Sequence, residues 1–290
     1  MRRLIFSISV IFIFVIFFGN NITKAQTSDV LDGIYEKEHV PARKPIAYHH
    51  LREADMMWTK KIWRILNLKE KINHPLYYPS IKPIGDRMSL TQLIIWGVEN
   101  TGMYVYGIDD DEFTSPLTLT ELNEALGAGI DSQSVEVEDD VFKDTVIVKE
   151  AKPDEIKRYL MKEVWYFDKQ RSKLEVQIVG LCPIRRYQKD LEGQDTEGAP
   201  LTTSKVCWVY YPAARAMFAN HEVFNPKNDS ERRTFEDIFF KRHFSSYIFQ
   251  ETNVYNNRRI DQYRKGLDAQ LESEKIKEFI FKLEHDLWEY

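Results

Sequence analysis

The run NDSERRTFEDIFFKRHFSSYIFQETNVY, Asn228–Tyr255, constrains the fold most, because aromatic and cationic side chains recur along it at helical spacing. Phe235, Ile238, Phe239 and Arg242 stand at i, i+3, i+4 and i+7, which makes one face of a helix apolar, with Arg232, Arg233 and Lys241 around it. Asp229 or Ser230 is placed to start that helix, and Glu231, Glu236 and Asp237 lie early in it, where the helix dipole favours carboxylates. Phe244, Tyr247, Ile248 and Phe249 extend the apolar load. Two readings of such a helix stand: a core helix with a charged solvent face, or a helix packed against a partner.

A chain of 290 residues forms one large domain or two modest ones. With 43% hydrophobic and 13% aromatic residues and charges of both signs, the composition is that of a globular protein rather than a disordered tail. Residues 1–25 read as a signal peptide: Arg2 and Arg3 precede an apolar run from Leu4 to Phe18, and Thr23-Lys24-Ala25 offers small residues for cleavage before Gln26. The apolar run is shorter than the roughly twenty residues of a bilayer span, and no Cys follows it to carry a lipid. The segment holds three cations and no acid, so its removal moves the formal charge from -5 to -8. That balance argues against general nucleic-acid binding.

Four parts follow in order: the signal peptide 1–25, an extended N-terminal arm 26–48, an N-terminal α/β part 49–150, and a C-terminal part 151–290. From Leu51 to Leu66, the spacing of Ala54, Met57, Trp58, Ile62 and Ile65 predicts a helix. Trp58 and Trp63 cannot both sit at the centre of its stripe, so one of them is a candidate contact residue, with core packing the alternative. The prolines of His74–Pro79 predict an extended link. Ser89 caps a helix carrying Leu90, Leu93, Ile94 and Val98 that Gly102 closes, Met103–Ile108 forms a strand, and Thr118 with Glu121 makes a capping box before Leu122. Residues 127–149 alternate weakly, as strands do. From Tyr159 the period becomes two: Tyr159–Phe167 and Lys173–Ile184 form a hairpin, Val206–Tyr211 adds a strand, and Leu174, Val176, Ile178, Gly180, Cys182 and Ile184 share one face. Ile276, Phe279, Ile280, Leu283 and Leu287 mark a final helix. The class is α+β, with a helix-rich N-terminal part and an antiparallel sheet covered by C-terminal helices.

If the strands at 173–184 and 205–211 pair across their loop, Cys182 and Cys207 fall opposite each other, which suits either a disulfide or two free buried thiols. Two cysteines without CxxC spacing support neither a zinc site nor a redox centre. His49 and His50 diverge too far to share a metal, and the acidic turn Asp109–Glu112 fails as a calcium loop, because Phe113 stands where an oxygen ligand belongs. No GxSxG, HExxH, phosphate loop or Cys/His nucleophile arrangement is present. No cofactor is expected. Arg232, Arg233 and Arg242, with Arg258 and Arg259, make a basic, aromatic-rich region that either pairs with acids on another subunit or forms a solvated face.

Three stretches also carry a resemblance: READMMWTKKIWRILNLKEKINHPLYYP at 52–79, TFEDIFFKRHFSSYIFQETNVY at 234–255 and LESEKIKEFIFKLEHDLWEY at 271–290. In that order they resemble the GldN/PorN family of the gliding-motility and type IX secretion machinery of Bacteroidetes. The resemblance implies a non-enzymatic periplasmic component that forms a ring beneath the outer membrane with copies of itself and a GldK/PorK-like lipoprotein, and that meets the periplasmic part of a GldM/PorM-like motor protein. A periplasmic carbohydrate-binding or hydrolytic protein is the alternative; it requires a concave site with convergent polar groups.

Overall fold

The computed structural model describes residues 40–108, 111–138, 141–188 and 201–287, with the backbone alone over 130–148. All of them fall in one unit, His39–Tyr290. Its centre is the hairpin that the period-two pattern predicts: β6, Ile156–Asp168, pairs antiparallel with β7, Lys173–Gln188. On the far side of β6 lies β1, Met56–Asn67, paired along its length from Met56↔Asp168 to Asn67↔Arg158.

The helix expected over Leu51–Leu66 is therefore a strand, and the reason is burial on both sides. Ile62 and Leu66 enter clusters on one face while Trp63 and Ile65 enter a cluster on the other. A strand covered twice loses clean alternation, and its apolar positions then match a helical template by accident. Tryptophan, isoleucine and threonine suit a pleated surface, and β6 supplies a full-length backbone partner that no isolated helix has.

β12, Tyr247–Glu251, adds to β1 at Ile62–Ile65. Beyond β7 come β8, Leu201–Lys205, and β9, Trp208–Tyr210, followed by β2, Val105–Tyr106, and β3, Pro116–Leu117. The eight-stranded sheet runs β12-β1-β6-β7-β9-β2-β3, with β8 beside β7, and its paired strands are antiparallel. The fold is α+β.

Helices cover one face. α1, His74–Tyr77, is a single helical turn where an extended link was expected. α2, Leu90–Thr101, starts as the sequence predicts: Ser89 Oγ accepts from the Gln92 amide while the Gln92 side chain accepts from the Ser89 amide. Thr118 and Glu121 do the same for α3, Leu119–Ala125. α4, Tyr211–Asn220, carries Pro212 in its first turn, where a missing N–H costs nothing. α5 spans only Phe235–Phe240. Asn228–Tyr255 is thus not one long helix. Thr234, rather than Asp229 or Ser230, caps α5, and the chain then turns into β12 because Tyr247–Glu251 finds the edge of β1. α6, Ile260–Tyr263, and α7, Leu267–Asp286, complete the layer.

Leu66, Tyr159, Met161 and Leu181 of the sheet pack with Leu93, Phe218, Phe235 and Phe239 of the helices. A second cluster joins Ile62 and Ile248 to Ile260, Ile276 and Ile280. Each such side chain contributes about 2 kcal/mol on full burial. The opposite face holds Trp63, Ile65, Leu160, Cys182 and Trp208, with Phe113 against them. An extra residue in β7, Val179, separates the pairs Gly180↔Lys162 and Ile178↔Glu163. This bulge sends Leu174 and Ile178 to the helical side but Cys182 and Ile184 to the other, so the single face expected for them is divided.

Two strand pairs stand apart. β4, Gly129–Glu138, and β5, Val141–Lys149, form their own two-stranded sheet. β10, Glu222–Val223, and β11, Arg233–Thr234, make a second small pair.

Candidate interaction surface

The residues singled out from the sequence divide between interior and rim. Trp63 is core: it is 4% exposed, and its indole N–H donates to Asp111 Oδ2 at 2.8 Å. Trp58 is half-buried against the Ile62 and Ile276 cluster. Neither stands out as an exposed anchor. Arg242 is also internal in role. Its Nη2 lies 2.8 Å from Glu163 Oε1, the Glu163 side chain is fully buried, and the Trp165 indole donates to the other carboxylate oxygen at 3.0 Å. Arg242 holds a φ of 54°, a left-handed conformation that arginine rarely adopts, and the ion pair offsets that cost. Arg64, beside them, is pushed down in pKa by burial, with Glu163 acting the other way; it donates to the hydroxyl and carbonyl of Ser246.

The remaining arginines occupy the rim with partners of their own chain. Arg232 bonds Glu222 at 2.8 Å and Arg233 bonds Glu231 at 3.2 Å. Arg258 stacks over Tyr263 at 4.4 Å, while Arg259 lies 3.3 Å from Asp261 and over the Phe249 ring. The basic region is therefore a set of internal pairs rather than one convergent patch.

Both cysteines are buried and free. The register that sets them opposite each other holds from Ile184↔Lys205 to Gln188↔Leu201, but the pairs Gly180↔Tyr210 and Leu181↔Val209 are shifted by one residue. The slip occurs at Val206 and Cys207, which leaves Cys207 in the helical-side cluster and Cys182 in the opposite one. Burial pushes the Cys182 thiol up to about 12 and the Cys207 thiol well above its usual range.

Three groups escaped sequence reasoning. Glu236, counted there as a dipole partner, is buried and accepts from Tyr211 Oη at 2.6 Å and from Arg215 Nε at 2.7 Å. Burial, reinforced by Glu236, raises the Tyr211 hydroxyl far above its usual range. The second group straps residues 40–48 to this centre. Arg215 donates to the Ile46 carbonyl and stacks on Tyr48 at 3.9 Å, and Arg43 grips Asp237 with two bonds of 2.6 and 2.9 Å. Burial drives the Tyr48 hydroxyl up to about 12. Burial would also raise the Asp237 carboxyl, but the Thr234 amide and Arg43 outweigh it and hold it below the ordinary range. The third is the acidic turn. Asp111 is pinned by Trp63 and by Lys162, whose Nζ reaches the Asp111 carbonyl at 2.6 Å, and Phe113 inserts between Tyr106 and Trp208. Gly180 makes room for that ring, since a Cβ there would meet Phe113 at 2.6 Å. Only the Arg/Glu/Tyr composition was visible beforehand, because partners up to 194 residues apart cannot be read from local spacing.

A groove of about 330 Å³ runs between this strap and the sheet. It is lined by five consecutive residues of β7, Leu174–Ile178, with Ile46–His49 and Phe240 opposite. Consecutive strand residues alternate between faces, so a groove that touches all five follows the backbone edge. Among the described residues, β7 has no strand on this side from Lys173 to Val179. The site is thus an open strand edge with apolar walls. Among the described residues, no group of three His, Cys, Asp or Glu side chains is placed to hold a metal ion, and no helix is long and apolar enough to cross a membrane. The expected signal segment, and the arm up to residue 39, lie outside the described residues.

The α+β scaffold thus commits the singled-out arginines to contacts within the chain and offers an apolar groove along a sheet edge. The family model for the gliding motility associated protein GldN matches residues 51–289. The chain belongs to the GldN family, whose members are periplasmic structural components associated with gliding motility and type IX secretion. No curated protein matches it.

Proposed function

We propose that this chain is a non-enzymatic structural component of the type IX secretion and gliding machinery. It forms a periplasmic ring with a GldK/PorK-like outer-membrane lipoprotein and further copies of itself, and it contacts the periplasmic region of a GldM/PorM-like motor protein. The observation that carries the reading is the family match over residues 51–289. Ring closure needs heterologous contacts, in which one surface meets a different surface on the next copy. An open strand edge is a surface of that asymmetric kind. Export by the segment 1–25, with cleavage after Ala25, would deliver the chain to the periplasm, where the lipoprotein holds it at the inner face of the outer membrane.

The test is gentle isolation of outer membranes. The chain is expected to come away with a lipoprotein in particles of very high mass and to begin at Gln26 by mass spectrometry. Recovery as a free single chain in the soluble periplasmic fraction contradicts the reading.

A further inference from the structure

Among the described residues, two of the backbone edges without a strand partner are complementary. The first is the half-strand Lys173–Val179 of β7. The second belongs to the β4–β5 ribbon, whose strands pair only with each other among the described residues. A lone two-stranded ribbon is marginally stable in water and gains from a third strand. Its base, by contrast, is firmly set: the Ala128 amide bonds the Asn123 carbonyl, the Lys152 amide bonds Leu126, and Arg185 reaches both Glu155 and the Ala125 carbonyl. The ribbon thus projects from a fixed root without joining its own sheet.

We infer that β4 of one copy adds as a strand to the open edge of β7 in the next copy. The inference rests on the ring reading and names the contact between neighbouring subunits. Strand addition is paid in main-chain hydrogen bonds, which both edges have to offer. Lengths match, since β4 spans Gly129–Glu138 and the edge needs seven residues. Charge favours β4 over β5: by sequence β4 carries Asp131, Glu136 and Glu138 with no cation while β5 carries Lys143 and Lys149 with Asp144, and at the edge Lys173 is exposed, whereas Arg171 and Arg242 pair with Asp168 and Glu163. The contact is head to tail, because ribbon and edge are different surfaces, so it propagates from copy to copy and closes where the rotation allows.

The Pro183 carbonyl points towards β8 and β9, where it accepts from the Val206 amide. Alternation along β7, shifted by the bulge at Val179, assigns the outward amides of the open half to Leu174, Val176 and Ile178. The test uses the mature chain in three forms: wild type, a form with residues 130–148 replaced by two glycines, and Val176→Pro, which removes one outward N–H. Mass photometry should show species above the monomer for wild type and loss of all of them for each variant alone. An equimolar mixture of the variants should restore a 1:1 dimer and nothing larger, since only one productive edge and one ribbon remain. Circular dichroism checks folding. Should Val176→Pro fail to fold, the ribbon-less form in excess decides the matter: it accepts a ribbon but donates none, so it should shorten wild-type assemblies towards dimers. Assembly of the ribbon-less form like wild type, a monomeric mixture of folded variants, no shortening, or a monomeric wild type each overturns the inference. Retained capture of the ribbon-less chain by the lipoprotein would leave the ring reading standing when this contact fails.

Discussion

The β12 edge of the central sheet and the half-strand Lys173–Val179 of β7 are finished differently. At β12 the edge is closed: the Ile248 amide donates to Ser273 Oγ of α7 at 3.0 Å, Gln250 bridges to Arg259, and Ile276 and Ile280 of α7 pack over Ile248. Along Lys173–Val179 of β7 no strand or helix closes the edge among the described residues, and a groove runs beside it. Proteins that stay single cover or blunt such edges. One sheet has both treatments, and the strand addition inferred above would put assembly on the open side and stability on the closed one.

The largest effect is expected at Arg242, whose partner Glu163 is fully buried in the sheet. Arg242→Ala leaves the Glu163 carboxylate buried without its cation, and a loss of about 3 kcal/mol in urea unfolding is expected. A loss no greater than that of Arg233→Ala, whose pair with Glu231 is largely exposed and worth about 0.5 kcal/mol, would return Arg242 to the surface and blur the contrast between the sides. Ser273→Ala sharpens it. Removal of the hydroxyl orphans the Ile248 amide, so about 1 kcal/mol should go, with faster hydrogen exchange at Ile248 and none at β7.

The smallest effect belongs to the strap beside the groove. The Asp237 carboxyl is held below its ordinary range in the folded chain, so its contribution is complete above the unfolded value of about 3.9 and is lost as pH falls through the folded value. Asp237→Asn should lower stability at neutral pH by about 0.5 kcal/mol, a figure discounted for the solvent around Arg43, and the difference should shrink in acid. A difference constant with pH would mean that Arg43 does not act through charge.

Local chemistry was legible wherever one short segment contained the whole cause. Ser89 with Gln92 and Thr118 with Glu121 fix two helix starts within four residues each, and the β6–β7 hairpin declares itself by alternation around Asp168–Arg171. What escaped depends on distant partners. The strand at Met56–Asn67 exists because β6 pairs with it, and the turn from α5 into β12 exists because β1 has an edge to fill. One-residue slips, at Val179 and at Val206–Cys207, carry no marker in the sequence, yet they decide which face each thiol occupies. Among the aromatic and cationic residues that drew attention at 228–255, Phe235, Phe239 and Arg242 are internally committed, since a cation placed among aromatics is well suited to burial beside a carboxylate, whereas Phe240, Tyr247 and Tyr255 stay exposed. The open edge could not be seen at all, because it is defined by where β8 and β9 stop.

Hydrogen exchange on assembled and monomeric protein tests the central claim most directly. On assembly, the amides of Leu174, Val176 and Ile178 should slow at least about tenfold, the factor that corresponds to 1.4 kcal/mol of added protection, while those of Tyr247–Glu251 in β12 keep their rates. Unchanged exchange along Lys173–Val179 in a particle that has plainly assembled would contradict it.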